Sequence, residues 1–185
     1  MTSFETLFTA VKSLDEKVNQ KRTIVAVGGF ALMYAAFCSK IDVRASHDVD
    51  DINDLEYDDG TKKVIEDIAN RLHLRSDWLN TESAPYYMNE DGLIIDEKEC
   101  EEIFKGNKIT LKVLNIIQQL RGKLDSISAN GIGYRQNDED DVLTILNIIG
   151  VNSYESLMSH PECGFVFTEY DETILQFIKE TCKKL

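Results

Sequence analysis

The spacing of apolar residues along the first third of the chain predicts alternating helices and strands. Apolar positions recur every three or four residues over 3–19, which predicts an amphipathic helix. The β-branched run 23–27 predicts a buried strand that a glycine pair ends, and the apolar residues 30–38 predict a buried helix directly behind that pair. Residues 48–52 fit a second extended segment.

The remaining two thirds of the chain predict further strands followed by helices. The stretch 74–89 contains a tryptophan, a proline and a tyrosine pair, and we expect it to be packed but irregular. The whole pattern predicts an α+β fold in one domain, with a core at about residues 20–113 and a helical C-terminal part at about 114–185. The other predicted elements are helices over 60–72, 97–105, 114–127, 138–149, 153–159 and 170–182, strands over 92–96 and 108–113, and a loop over 128–137.

Composition limits the class of protein. The longest apolar run, Phe30 to Cys38, is too short to span a membrane, and the N-terminus has neither a basic leader nor a signal-type apolar core. The four cysteines are scattered without a C-x-x-C pair, which argues against a zinc site and against a disulfide scaffold. We therefore expect a reduced, cytoplasmic protein that neither crosses a membrane nor is exported.

The charge balance limits the partners. The sequence carries 33 acidic and 20 basic side chains, for a net charge of -13. An acidic surface repels polyanions, so an extended nucleic-acid footprint is disfavoured. A small nucleotide that carries magnesium remains compatible with this charge.

The candidate chemistry lies between residues 24 and 51. On a strand, Asp48 and Asp50 would project to the same side roughly 6 to 7 Å apart, close enough to ligate one metal ion or a metal pair. The composition alone gives about six acid-x-acid pairs, so the pattern gains weight only from its context. Gly28 and Gly29 supply that context, because backbone without side chains can approach a phosphate closely at a helix start. A glycine pair taken alone is more often an ordinary turn.

This segment resembles the nucleotidyltransferase superfamily, in particular its small bacterial members. Those members include the nucleotidyltransferase-like toxins of abortive-infection and toxin–antitoxin systems. The shared order is a glycine pair after the first strand, then an arginine, a serine or threonine, and an Asp-x-Asp pair. The matching residues here are Gly28, Gly29, Arg44, Ser46, Asp48 and Asp50.

The resemblance implies a fold and a reaction. It implies a nucleotidyltransferase-like mixed β-sheet flanked by helices, and the Mg²⁺-dependent transfer of a nucleoside monophosphate from a nucleoside triphosphate to a hydroxyl acceptor. Asp48 and Asp50 would bind magnesium, with a two-metal site possible. The acceptor, whether a protein, an RNA end or a small molecule, stays open.

A weaker resemblance covers residues 114–149. The pair Lys123-Leu124 and the acidic opening of the helix at Asp138 look like two later pieces of the family pattern. Lys123 would steady the triphosphate as a point charge, or it is a solvated helix lysine. Asp138 and Asp141 would position Lys123 or contact the metal site, or they only complement the helix dipole.

Two departures from the family pattern weigh against activity. Many members have a serine after the first glycine, where this chain has Gly29, and the toxin branch has a threonine after the pair, where it has Phe30. The usual third carboxylate on a neighbouring strand is also not obvious. Asp96, after the predicted strand 92–96, is the best-placed candidate, although a carboxylate there is more often a solvated turn residue.

The other polar and aromatic residues of the segment carry weaker predictions. Arg44 is expected to brace the loop before the acidic triplet, which consists of Asp48, Asp50 and Asp51, or to pair with one of these acids. His47 is expected to be solvent-exposed. Trp78, Tyr86 and Tyr87 are candidates for stacking a base, and equally for the core. Three hypotheses follow: an active nucleotidyltransferase, an inactive member of that fold that binds a protein partner, as in a toxin–antitoxin pair, and an unrelated α+β protein in which the motifs coincide by chance.

Overall fold

The computed structural model describes residues 3–89, 92–133 and 137–185. The chain divides into two compact units. We call residues 1–37 with 42–115 the sheet unit, and residues 38–41 with 116–185 the helical unit. The division after Asn115 lies beside the boundary that the sequence predicts between a sheet core and a helical C-terminal part.

The sheet unit is built on a mixed five-stranded sheet. Its order is β3-β2-β1-β7-β6, where β1 runs parallel to β7 and antiparallel to β2, β2 runs parallel to β3, and β6 runs antiparallel to β7. A separate two-stranded sheet pairs β4 with β5. The strands are β1 Arg22–Val27, β2 Val49–Asp51, β3 Leu79–Asn80, β4 Met88–Asn89, β5 Gly92–Leu93, β6 Cys100–Lys105 and β7 Ile109–Leu114.

Three helices belong to the sheet part of the chain and the others to the helical unit. The apolar faces of the first and third helices, together with the largely apolar second helix, pack on one face of the sheet, in a core that includes Leu7, Phe30 and Ile68. Capping residues fix two of the helix starts, Ser3 for α1 and Asp58 for α3. The helices are α1 Phe4–Lys17, α2 Gly28–Ser39, α3 Asp59–Leu72, α4 Ile116–Asn130, α5 Asp138–Ile148, α6 Tyr154–Met158, α7 Val166–Glu169 and α8 Glu172–Cys182.

The period of two along β2 distributes its residues between the two faces of the sheet. Val49 is fully buried in the core beneath the helices, as the sequence predicts. Ile52 belongs to the second apolar cluster on the opposite face, together with Val25 and Val27. Asp50 therefore lies on the face opposite Val49, and Asp51 lies on the same face as Val49.

Most predicted elements are confirmed within a few residues. The glycine pair belongs to the first turn of α2 instead of preceding it. The predicted strand 92–96 is reduced to Gly92–Leu93, outside the five-stranded sheet. The predicted loop 128–137 begins later, because α4 continues to Asn130, and its residues 134–136 lie outside the described residues.

The predicted helix over 97–105 is wrong. Residues Glu97–Glu99 form a single 3-10 turn, and Cys100–Lys105 form the edge strand β6. The register of β6 against β7 shifts between Glu102 and Phe104, so that Ile103 and Phe104 are both partly buried. That irregularity removes the alternation by which a strand is recognised in sequence.

A search of the described helices finds none that combines the length and the apolar character needed to cross a membrane.

Candidate active site

Gly28 brings the end of β1 into contact with the acidic segment. Its φ of +64° lies in the left-handed region, which glycine adopts without a steric penalty. Val27, immediately before it, pairs with Asp50 across the antiparallel β1–β2 ladder. A β-carbon at residue 28 would lie 3.0 Å from Oδ2 of Asp50. The Asp50 carboxylate therefore faces the backbone of Gly28.

Gly29 makes room for Ser46. A β-carbon at residue 29 would lie 2.5 Å from Oγ and 2.8 Å from Cβ of Ser46, so a side chain cannot occupy that place. Ser46 is buried, and its hydroxyl donates to Oδ1 of Asp48 at 2.9 Å. The space beside Gly29 is thus filled by protein, and the hydroxyl that fills it orients the first carboxylate of the acidic pair.

The acidic pair lies beside the end of β1. Asp48 and Asp50 are half-buried, and Val49 between them anchors the segment in the core. The glycine pair, Ser46, Asp48 and Asp50 therefore form one contiguous group of residues. An Asp50 carboxylate that pointed away from Gly28 would have favoured a chance coincidence of the motifs, whereas it points toward Gly28.

Asp51, which the sequence treats as the third acid of a triplet, has a structural role. Its fully buried carboxylate accepts hydrogen bonds from the backbone amides of Val25 and Asn53, both at 2.9 Å, and from the hydroxyl of Tyr57 at 2.8 Å. Burial raises the pKa of Asp51 to about 6, against the opposing effect of these hydrogen bonds. Alternation along β2 places Asp51 on the face of Val49, and this was the sequence signal for its burial.

Asp96 does not supply a third carboxylate from a neighbouring strand. It is exposed, and its Oδ1 accepts the amide of Lys98 at 3.0 Å in the 3-10 turn before β6. The strands beside β2 in the sheet are β1 and β3. Across residues 3–89, 92–133 and 137–185, no group of three or more His, Cys, Asp or Glu side chains is arranged to hold a metal ion.

The donor set fits one magnesium ion shared with a nucleotide. Mg²⁺ is commonly held by one or two carboxylates together with substrate phosphates and water. Asp48 and Asp50 offer two half-buried carboxylates beside a backbone that Gly28 leaves uncovered. A second metal ion would require a further ligand beyond these two residues.

Lys123 lies in the helical unit. Its ammonium group is 2.6 Å from Oδ2 of Asp141 and 3.4 Å from Oδ1 of Asp138. Asp138 and Asp141 are buried in the first turn of α5, and Lys123 is only 16% exposed. The two acids therefore hold the lysine in place, in addition to any interaction with the helix dipole, and Lys123 is not a solvated helix lysine.

The weaker candidates divide between surface and core. Arg44 and His47 are exposed, as the sequence predicts for His47. Trp78 is fully buried and donates through Nε1 to the carbonyl of Ile65 at 3.0 Å, which makes it a core residue. Tyr86 is 81% exposed, whereas Tyr87 packs against the second apolar cluster. The three aromatic residues therefore do not share one environment that stacks a base.

Comparison of the chain with protein-family models, with curated proteins and with solved structures gives no match.

Proposed function

We propose that this protein is a nucleotidyltransferase that uses Mg²⁺ to transfer a nucleoside monophosphate from a nucleoside triphosphate to a hydroxyl acceptor. The observation that carries the proposal is the approach of Asp50 to Gly28 at the end of β1. The mixed sheet with helices packed on it supports a nucleotidyltransferase-like fold as part of the same proposal.

Each residue of the group has a role in this reaction. Asp48 and Asp50 bind Mg²⁺, which when bound neutralises phosphate charge and promotes attack by the acceptor hydroxyl. Ser46 holds the Asp48 carboxylate through its 2.9 Å hydrogen bond. Gly28 keeps the backbone uncovered at the start of the twelve-residue helix α2, where the positive end of the helix dipole favours phosphate.

The family resemblance implies a phosphate contact for Lys123, and this role stays a prediction. Within the helical unit, Lys123 is paired with Asp138 and Asp141. Arg44 is retained as a supporting residue near the acidic segment.

The experiment is label transfer with an α-phosphate-labelled nucleoside triphosphate. The purified protein is mixed with Mg²⁺ and each of the four triphosphates, alone and with a cell lysate that supplies acceptors. We expect metal-dependent labelling that Asp48→Asn and Asp50→Asn each reduce by about 100-fold or more, since each removes a metal ligand. Asp67→Asn, which changes an exposed acid on α3, is the matched control and retains the activity. Absence of labelling and of triphosphate binding, or equal labelling by the Asp48 variant, contradicts the proposal.

A second candidate function is an inactive member of the same fold that binds a protein partner, for instance in a toxin–antitoxin pair. Asp96 belongs to no strand of the five-stranded sheet, and Ser46 fills the space beside Gly29, which both favour this alternative. Isothermal titration calorimetry separates the two candidates. Micromolar or tighter binding of a nucleoside triphosphate with Mg²⁺ supports the enzyme and contradicts the inactive module.

A further inference from the structure

A cleft lies at the end of β1 opposite to the group formed by the glycine pair, Ser46, Asp48 and Asp50. It has a volume of about 340 Å³ and is lined by residues 21–23 at the start of β1 and by the turn that joins β6 to β7. Four residues of β1 lie between Thr23, which lines the cleft, and Gly28, which corresponds to roughly 17 Å along an extended strand. This cleft is therefore distinct from the proposed nucleotide site.

The cleft is basic on a protein that is otherwise strongly acidic. Lys21, Arg22, Lys105 and Lys108 line it, and no aspartate or glutamate does so among the residues that the structure describes. The whole sequence carries 20 basic and 33 acidic side chains, so a lining of four cations and no acid differs from the charge balance of the chain. Acids outside this lining pair with two of the cations, Arg22 and Lys105. Clustered positive charge attracts small anions.

The lysines supply this charge, because the guanidinium group of Arg22 is already paired. Arg22 donates to Asp54 at 2.8 Å and to Asp58. Lys108 donates one hydrogen to the carbonyl of Val18 at 2.6 Å, which fixes its ammonium group and leaves two donors. Lys105 forms an ion pair with Glu102 at 3.7 Å, but both side chains are exposed, and an exposed pair of this kind contributes little.

The turn between β6 and β7 is held in place by a buried carboxylate. Asp15 accepts the amides of Asn107, Lys108 and Ile109 at 3.1, 2.7 and 2.6 Å. A β-carbon at Gly106 would overlap the Asp15 carboxylate, so the turn can approach it only with glycine there. Lys105 and Lys108 therefore flank a fixed turn, which Lys21 joins from the residue before β1, and an anion would bind to a group of charges that the fold holds together.

Two hydroxyl groups complete the donor set. Thr23 and Thr110 both line the cleft and are direct partners in the parallel β1–β7 ladder. Lysine ammonium groups together with hydroxyl and amide donors are the usual partners of a compact phosphate dianion. A nucleic-acid chain would have to approach an acidic surface, which disfavours a long polyanion as the occupant.

We infer that this basic cleft binds one phosphate group without a metal ion. The ligand is inorganic phosphate or the phosphate of a small phosphorylated molecule. The cleft volume accommodates either a free phosphate ion or a phosphate attached to a small organic group. The inference does not depend on the reaction proposed for the acidic group.

Calorimetric titration with inorganic phosphate in the presence of EDTA tests the inference. Chloride at equal ionic strength serves as the reference titrant, and EDTA excludes metal-dependent binding at Asp48 and Asp50. We expect saturable binding by the wild type that Lys21→Ala with Lys105→Ala weakens by about tenfold or more, equivalent to about 1.4 kcal/mol. Both lysines are exposed, so the double variant is expected to fold.

Lys63→Ala with Lys98→Ala is the matched control, since it removes two exposed lysines elsewhere on the sheet unit. This variant and Asp50→Asn are expected to bind phosphate as the wild type does. Titration with a nucleoside monophosphate separates the two ligand sources, because tighter binding than phosphate identifies a phosphorylated molecule and equal binding identifies the free ion. No saturable binding by the wild type, or equal weakening in the control, overturns the inference.

Discussion

Gly29 and Ser46 share one small volume, and each residue explains the other. The glycine is needed because the serine occupies the place of its side chain, and the serine is held where it donates to Asp48. A contact between residues 29 and 46 depends on the tertiary structure, so the sequence motif alone could not show it. The motif predicts a phosphate role for both glycines, and the packing of Ser46 against Gly29 favours Gly28 for that role.

Replacement of Gly29 by alanine should destabilise the protein, because the new methyl group would lie 2.5 Å from Oγ of Ser46. Overpacking of this kind costs about 1–3 kcal/mol. The double variant Gly29→Ala with Ser46→Gly should recover most of that loss, since it removes the clashing atoms. Urea unfolding measures the free energies, and a double-mutant cycle gives the coupling.

Gly164→Ala is the control for this pair, because a β-carbon at residue 164 would meet no atom within 4 Å. We expect its free energy of unfolding to stay within about 0.5 kcal/mol of the wild type. Additive effects of the two substitutions, with no recovery in the double variant, would show that residues 29 and 46 are not in contact.

Asp51 is expected to make stability depend on pH. Burial raises its pKa in the folded state to about 6, above the ordinary value of 3.8. The folded state therefore binds the proton more tightly than the unfolded state, and the contribution of Asp51 to stability is fully present below about pH 4 and is lost as the pH rises through about 6. The difference over that window is about 3 kcal/mol.

Asp51→Asn removes this titration while keeping an acceptor oxygen and nearly the same volume. The free energy of unfolding of the wild type minus that of the variant should fall between about pH 4 and pH 7 and should be constant above it. Urea unfolding at a series of pH values measures it. A difference that rises with pH would mean that the hydrogen bonds from Val25, Asn53 and Tyr57 outweigh burial.

At the level of elements, local hydrophobic patterns identify the central strands and the long helices but miss the edge strand. β1 has a continuous apolar run and β7 an alternating one, so each strand can be recognised from its own residues alone. β6 is recognised only through its pairing with β7, because its register shift places neighbouring apolar residues together. The exposure of Asp96 was equally hidden, since the predicted strand ends at Leu93 and Asp96 contacts the 3-10 turn before β6 instead.

The β6–β7 turn depends on Asp15 of α1, about 90 residues earlier in the chain. Asp15→Ala would leave three amides of the turn without their acceptor, and we expect a loss of about 2–4 kcal/mol in the free energy of unfolding. Asp67→Ala, at an exposed position of α3, should change it by less than about 0.5 kcal/mol.

The loss of unfolding free energy caused by Asp15→Ala should also depend on pH. Burial would raise the pKa of Asp15, but hydrogen bonds from the amides of Ile109, Lys108 and Asn107 outweigh it and lower that pKa overall. The stabilisation is therefore present at neutral pH and is lost as the pH falls through the lowered pKa. Urea unfolding of the wild type and the Asp15 variant at pH 7 and in acid measures this, and equal losses at both pH values would contradict it.

For the whole molecule, the sequence predicts the class of fold and the segment that carries the candidate site. The α+β class follows from the order of strand and helix patterns. The motif of a glycine pair followed by Asp-x-Asp correctly predicts that Gly28 and Asp50 lie close together. The cleft of Lys21, Lys105 and Lys108 could not be predicted in the same way. Its lysines come from two distant segments, and their proximity depends on the β1–β7 ladder.

The central place of β1 also constrains the order in which the protein can assemble during synthesis. One edge of β1 pairs with β2, and only 21 residues of chain separate these two strands. The other edge pairs with β7, which comes much later in the chain, at residues 109–114. The partner strand of the first edge is therefore synthesised before the partner strand of the second edge. An open, apolar strand edge is a template for association with other chains. Until β7 has been synthesised, the second edge of β1 is an edge of this kind, because its partner strand does not yet exist.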